Sequence, residues 1–206
     1  KPLVWIAEAA ADANTPALLR ALLVPLAEAG GVLERRAIDQ PLAALDKAAR
    51  HQARRLGLVI GTLDIFHPQL LRPEAMRWRA ALMAARGGAP MPVLPPPGAA
   101  MLATPSALPD FRTLGRQALR VDLAERIARA AHDARDGRRP FTPDPSLAVS
   151  LGLSADSLAR LMRQLGFEPK ADGWAWRGRI RRREVEQVRA DGHFAELAEL
   201  VAANGR

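Results

Sequence analysis

Residues 146–183 read SLAVSLGLSADSLARLMRQLGFEPKADGWAWRGRIRRR and contain two short helical patterns, a Trp-x-Trp hairpin pattern and a run of arginines. Gly152 separates the two helices, and Asp172-Gly173 is a hairpin turn signal. Five of the seven residues at 177–183 are arginines. Two helices, a hairpin and a basic tail are the outline of a winged helix, which favours nucleic-acid binding over a catalysed reaction.

The second helix of this segment has a marked start and two distinct faces. Ser154 is its predicted N-cap. One face of this helix is an apolar stripe, and the opposite face carries Arg160, Arg163 and Gln164. In a helix-turn-helix the second helix approaches the nucleic acid, so these three residues are the predicted readers. The stripe itself follows the spacing i, i+3, i+4, i+7 through Leu158, Leu161, Met162 and Leu165.

The predicted nucleic-acid surface extends from this helix into the hairpin and the basic tail. Phosphate contact by arginine and base stacking on tryptophan are the chemistry expected there. Other interpretations stay open: the tryptophans could cover the small core, the arginines could form a solvated tail, and the whole unit could bind protein or be purely structural. The predicted site residues are Arg160, Arg163, Gln164, Lys170, Trp174, Trp176, Arg177, Arg179, Arg181, Arg182 and Arg183.

The composition limits the class of protein. The chain has 206 residues, 49% of them hydrophobic, and a net charge of +8 with a sequence pI near 11.3. This charge favours a polyanionic partner, nucleic acid before membrane, although a high-GC genome would enrich arginine as well. Cysteine is absent, which excludes disulfides and thiolate zinc sites and favours a cytoplasmic location. No apolar run is long enough to predict a membrane span.

The sequence divides the chain into three parts. Residues 1–86 predict a helical accessory domain with a short β pair over 58–60 and 63–66. Residues 87–109 hold seven Pro and three Gly and predict a linker or crossing segment without a regular element. Residues 110–206 predict a winged-helix-like domain with a basic C-terminal extension. The expected fold class is mainly α with small β elements, in a helical N-terminal subdomain and a winged-helix-like C-terminal subdomain.

Capping and periodicity predict further helices outside the winged-helix segment. One begins after Thr15 and contains Pro25, which should kink or restart it. A single helix is expected from the Asp39 cap to about Leu56. Residues 3–7 fit either a short strand or the start of a helix. Two more helices are expected over 73–86 and 121–134.

No sequence motif for catalysis is present. The chain has no GxxxxGK[ST] or GxGxxG loop, no HExxH and no GxSxG. Its four histidines are scattered, and His67, which precedes Pro68 after an apolar run, is expected to be structural. We therefore predict that this chain is not an enzyme and holds no cofactor or metal ion.

Three stretches of the chain, taken together, resemble one protein family. They are LGLVIGTLDIFHPQLLRPEAMRWRAAL at 56–82, LPDFRTLGRQALRVDLAERIA at 108–128 and FTPDPSLAVSLGLSADSLARLMRQLGF at 141–167. Their order and content resemble the C-terminal region of bacterial, alphaproteobacterial-type SUV3-like superfamily 2 ATP-dependent helicases. The same resemblance extends to VWIA near the start, GGVLERRAI at 30–38 and GHFAELAEL at 192–200.

The resemblance implies an accessory module of a protein that unwinds RNA or DNA. ATP and Mg²⁺ would then bind only in helicase motor domains, which lie outside this chain and are supplied in cis or in trans. The implied partners are RNA or DNA, with single strands favoured, and a nuclease. Two alternatives stay open. One is a protein-interaction scaffold that docks a nuclease or the motor, and the other is a winged-helix transcription regulator, which predicts a dimer on a palindromic site.

Overall fold

The computed structural model describes residues 1–178 of the chain. This part of the protein is mainly helical and contains three small antiparallel sheets. The prediction of a mainly α fold with small β elements is therefore confirmed. Within the described residues, none of the helices combines the length and the apolar character needed to cross a bilayer.

The N-terminal half packs four helices against a three-stranded sheet. Helix α2 contributes to its core four fully buried leucines with the spacing i, i+3, i+4 and i+7. The strands pair in the order β1-β3-β2, all antiparallel. The elements are α1 (Pro2–Ala11), α2 (Ala17–Glu28), β1 (Val32–Glu34), a 3-10 helix (Arg35–Ile38), α3 (Asp39–Ala44), α4 (Lys47–Arg55), β2 (Val59–Ile60) and β3 (Asp64–Phe66).

The single helix predicted from Asp39 to about Leu56 is wrong, because the chain interrupts it at Leu45. Leu45 has an extended conformation with φ −62° and ψ 122°. Asp46 then starts a new helix, since its Oδ1 accepts a hydrogen bond of 2.7 Å from the Ala49 N–H, satisfying a first-turn donor that has no partner within the helix. Residues 3–7 belong to α1, and α2 continues through Pro25.

Residues 87–109 connect α5 (Pro73–Gly87) to the C-terminal half. The expectation of no regular element there is wrong at its centre, where residues 101–102 form β4 (Met101–Leu102). A second sheet, in the order β4-β6-β5, joins it to β5 (Phe111–Leu114) and β6 (Gln117–Arg120). The sequence did not reveal this hairpin, because Phe111 and the charged Arg112 are both buried and so remove the apolar alternation of a strand.

Between residues 121 and 176 the chain forms three helices and a hairpin. The predicted helix over 121–134 is confirmed, and so are the Ser154 cap and the hairpin that turns at Asp172-Gly173. The apolar stripe of α8 faces the core, with Leu161, Met162 and Leu165 fully buried. The elements are α6 (Val121–Ala134), α7 (Ser146–Ser150), α8 (Ala155–Gln164), β7 (Phe167–Lys170) and β8 (Gly173–Trp176).

The two halves pack directly against each other. Leu63, in the turn between β2 and β3, is buried in the core of the C-terminal half beside Leu123 and Ile127. Val121, at the start of α6, is in turn buried with Val32 and Phe66 of the first sheet. Because each half buries a side chain of the other half, the position of α8 relative to the N-terminal half is fixed.

Candidate nucleic-acid interface

Helix α8 is anchored along one side to the β5–β6 hairpin. Ser154 accepts a hydrogen bond from the Ser157 N–H at 3.2 Å, which caps the helix. The N–H of Ser154 donates to Oε1 of Gln117 at 2.9 Å, and the hydroxyl of Ser157 donates to the carbonyl of Leu114 at 2.9 Å. The start of the helix is therefore fixed, and the hairpin covers one of its sides.

The three predicted readers on α8 lie in three different environments. Arg163 is exposed, and its guanidinium carbon is 5.9 Å from the ring centroid of Trp174. Arg160 is also exposed but lies against the β5–β6 turn, where a Cβ added to Gly115 would come within 2.7 Å of its Nε. Gln164 is turned toward the protein, since its Oε1 accepts a hydrogen bond of 2.9 Å from Nη1 of Arg112. On α8, Arg160 and Arg163 are thus the cations presented to solvent.

Arg112 is buried and bonded through all of its guanidinium nitrogens. Nε and Nη2 donate to the two carboxylate oxygens of Asp64 at 3.0 and 2.6 Å, and Nη2 also donates to the carbonyl of Leu63. Nη1 donates to Glu34 at 2.8 Å as well as to Gln164. Burial opposes the charged guanidinium, but the hydrogen bonds and charges of Asp64 and Glu34 outweigh it and raise the pKa of Arg112. Arg112 is therefore a structural cation with no donor left for a phosphate.

Glu125 of α6 holds the turn between β2 and β3. Its carboxylate accepts backbone hydrogen bonds from Thr62, Leu63 and Asp64 at 2.7, 2.5 and 2.8 Å. A buried turn needs acceptors for such N–H groups, and Glu125 supplies them from a helix in the other half. The stretches at 56–82, 108–128 and 141–167 therefore meet in one network through Asp64, Arg112, Glu125 and Gln164.

The hairpin tryptophans are half-buried and pack on the core of the C-terminal half. The guanidinium of Arg135 lies 4.0 Å from the ring centroid of Trp176, and Phe141 pairs with Trp174 through backbone hydrogen bonds of 2.8 and 2.9 Å. Covering the core, one of the two roles considered for these rings, is thus the role seen in the structure. A guanidinium therefore lies near each of the two rings.

The basic residues of the hairpin are partly neutralised. Glu168 accepts from Nζ of Lys170 at 2.7 Å and from Nε of Arg177 at 3.1 Å. The hydrogen bond from Lys170 and the charges of both cations lower the pKa of Glu168, so it stays ionised. Glu168 therefore offsets one of the two positive charges, and the group of Glu168, Lys170 and Arg177 keeps a net charge of +1. The remaining predicted arginines, Arg179, Arg181, Arg182 and Arg183, lie outside the described residues.

One cationic cleft was not predicted from the sequence. Arg35 and Arg36 of the 3-10 helix line it on one side and Arg163 of α8 lines it on the other. Nη2 of Arg36 is 3.4 Å from the carbonyl oxygen of Gln164, the last residue of α8. We call this group, Arg35, Arg36 and Arg163, the arginine cleft. Its two sides are 128 residues apart in sequence, so no local pattern could have revealed it.

Among residues 1–178, no cluster of three or more His, Asp or Glu side chains is arranged to hold a metal ion. His67 has the structural role expected of it, because its Nδ1 accepts the Gln69 N–H at 3.2 Å and caps a short 3-10 helix, Pro68–Leu71. Burial lowers the pKa of His67 below its ordinary value of 6.5. The neutral imidazole is thus the form that fits this site.

Comparisons with protein-family models, with curated proteins and with solved structures found no match for this chain.

Proposed function

We propose that this chain is a non-catalytic nucleic-acid-binding accessory module of an ATP-dependent RNA or DNA helicase, which guides or anchors a strand through arginine contacts. The observation that carries the proposal is the pair of exposed arginines, Arg160 and Arg163, on a helix whose start and flank are fixed by hydrogen bonds. Arginine pairs bidentately with phosphate and keeps its charge when partly desolvated. A rigid support lowers the entropy lost when such a side chain binds.

The order of elements supports a winged-helix-like arrangement for the C-terminal half. Along the chain, α6 is followed by Phe141, which forms an isolated β-bridge with Trp174. Then come α7, α8 and the β7–β8 hairpin. Gly152 forms the turn between α7 and α8 with φ 71°, a conformation that a residue with a side chain rarely adopts. In this interpretation α8 is the second helix of a helix-turn-helix, and the hairpin is the wing.

The charge distribution supports a polyanionic partner. Residues 1–178 contain 24 Lys and Arg against 17 Asp and Glu, which leaves a net charge of +7. Two of the carboxylates, Asp64 and Asp110, are buried in ion pairs with Arg112 and Arg79. Because these pairs are internal and neutral, the excess of positive charge lies on the surface. Such a surface attracts nucleic acid in a salt-dependent manner.

The helicase part of the proposal is supported by the sequence resemblance and by how the resembling stretches pack. Asp64, Arg112 and Gln164 come one from each of the three stretches and share one hydrogen-bond network. A shared network gives a common reason for those stretches to occur together. The motor domains would supply ATP and Mg²⁺, in cis or in trans, and a nuclease is a further proposed partner.

Nucleic-acid binding is tested by fluorescence anisotropy with labelled single-stranded RNA, single-stranded DNA and duplex across a salt series. We expect affinity to fall steeply with salt, and to fall further when Arg160 and Arg163 are both replaced by alanine. The matched control is Arg54→Ala/Arg55→Ala, which removes two exposed arginines from α4. A second variant replaces the four arginines between 179 and 183. Salt-independent binding, or equal loss in the control, would contradict the proposal.

A second candidate function, docking of a protein partner, is favoured by one feature of α5. Trp78 and Leu82 lie one helical turn apart and are 69% and 46% exposed. Large apolar side chains exposed side by side are typical of protein-binding surfaces. The helicase motor or a nuclease would be the partner in this case. Loss of the partner from a pull-down with Trp78→Ser, with nucleic-acid binding unchanged, would support this function.

A further inference from the structure

The arginine cleft presents cations from both halves of the protein toward one space. Arg36 and Arg163 are exposed, whereas Arg35 is half-buried and donates to the carbonyl of Gly61 at 2.7 Å. The carboxylate that lines the cleft is Asp39, and it lies 3.6 Å from Nε of Arg35. Arg36 and Arg163 therefore give the cleft a positive charge that this carboxylate does not cancel.

The end of α8 explains why an anion can approach here. A helix C-terminus carries a partial negative charge that disfavours anions. Nη2 of Arg36 lies against the carbonyl oxygen of Gln164 at that terminus, and Arg112 binds the side chain of the same residue from inside. One cation, Arg36, thus lies on the backbone carbonyl at the end of α8, and its side chain is exposed to solvent.

The surroundings of α8 also limit the kind of nucleic acid that fits. A helix that reads duplex DNA must enter a major groove about 12 Å wide with its exposed face free. In this protein the β5–β6 turn lies against Arg160, and the side chain of Arg36, from the 3-10 helix, lies against the last turn of α8. The C-terminal half of the exposed face therefore has a turn on one side and an arginine side chain on the other, which suits a strand laid across the helix better than a groove around it.

From this geometry we propose that the arginine cleft binds the phosphodiester backbone of a single nucleic-acid strand that runs from Arg160 across Arg163 to Arg36. The N-terminal half is then part of the binding surface rather than a spacer. This inference rests on the proposed function, since it assigns a path and a strand type to that binding. Phosphate contacts position a strand without reading its sequence, so the cleft binds RNA and DNA single strands of any sequence.

The inference is tested with Arg36→Ala in the full chain, using fluorescein-labelled oligo-uridine and oligo-thymidine of about 16 nucleotides. Each phosphate contact on a single strand contributes about 0.7 to the slope of log K against log salt, so we expect the slope to fall by about 0.7 and affinity at about 0.1 M salt to fall about 5-fold. Arg36→Lys keeps the charge and should retain most of the slope. Arg55→Ala, on α4, is the matched control and should leave the slope unchanged.

The outcomes separate the two proposals. If the wild-type chain binds single strands but Arg36→Ala matches Arg55→Ala, the cleft does not bind the strand, while the proposed function stands. If the wild-type chain binds no nucleic acid, the proposed function fails and the cleft with it. Tighter binding to a duplex of the same length would overturn the single-strand assignment. Thermal unfolding of each variant, followed by circular dichroism, shows that Arg36→Ala is folded.

Discussion

Replacement of Arg112 by alanine removes the side chain that joins three segments of the chain. Arg112 is 9% exposed and Asp64 is 3% exposed. Without the guanidinium, both oxygens of the Asp64 carboxylate and the amide oxygen of Gln164 lose the Arg112 donor. The carbonyl of Leu63 loses one donor and keeps the backbone N–H of Arg35. Removing one partner of a buried ion pair costs about 3–5 kcal/mol, because the other charge is left buried and uncompensated.

We therefore expect Arg112→Ala to lower the free energy of unfolding by about 3–5 kcal/mol, out of the roughly 5–15 kcal/mol typical of a domain. Urea-induced unfolding followed by circular dichroism, with linear extrapolation to water, measures it. Glu34→Ala is the matched control, because Glu34 binds the same guanidinium with 57% of its side chain exposed. An exposed ion pair contributes only about 0–1 kcal/mol.

A cost for Arg112→Ala no larger than that for Glu34→Ala would refute this reasoning, since it would mean that the buried part of the network adds nothing. If Arg112→Ala does not fold, the double variant Asp64→Leu/Arg112→Met decides the question. It removes the buried charge together with its partner, and such replacements are often neutral or stabilising. A double variant that also fails to fold would show that the charges themselves are not the cause.

Three further predictions concern other parts of the molecule. Glu125→Gln replaces one carboxylate oxygen by an NH₂ group that cannot accept the backbone N–H groups of 62–64, so urea unfolding should show a loss of about 1–3 kcal/mol; an unchanged midpoint would contradict this. Because burial lowers the pKa of His67, its contribution to stability is present above pH 6.5 and is lost as the pH falls through the lowered pKa. His67→Asn keeps an acceptor for the Gln69 N–H and should flatten this part of the stability–pH curve, whereas an unaltered curve would assign it to another group. Trp78→Ala should change the free energy of unfolding by no more than about 0.5 kcal/mol, since the ring is 69% exposed; a larger loss would show that the ring packs within the protein.

Local signals predicted the elements whose formation depends on neighbouring residues. The i, i+3, i+4, i+7 stripe of α8, its Ser154 cap and the Asp172-Gly173 turn all appear in the structure as expected. These features act over fewer than ten residues, so periodicity and turn chemistry suffice to recognise them. The Asp39 cap and the single helix predicted after it are wrong, because Asp39 is itself the first residue of α3 and Asp46 caps a second helix, α4.

The candidate site was predicted only in part. Arg160 and Arg163 are exposed as expected, but Gln164 is bonded inside the protein, and Lys170 and Arg177 are paired with Glu168. Arg36 was missed because nothing near it in the sequence distinguishes it from the other exposed arginines. Its neighbour Arg163 is brought to it by the packing of one half on the other.

The sequence by itself determined the excess of positive charge, the absence of cysteine chemistry and the helix, turn and hairpin from 146 to 176, because composition and short-range capping need no tertiary information. Tertiary structure alone decided which arginines are free to bind. Arg112 and Arg79 resemble any other arginine in the sequence, yet both are buried against carboxylates from distant segments. A guanidinium becomes a structural ion or a surface contact according to what folds around it, since desolvation is tolerated only where a carboxylate compensates for it.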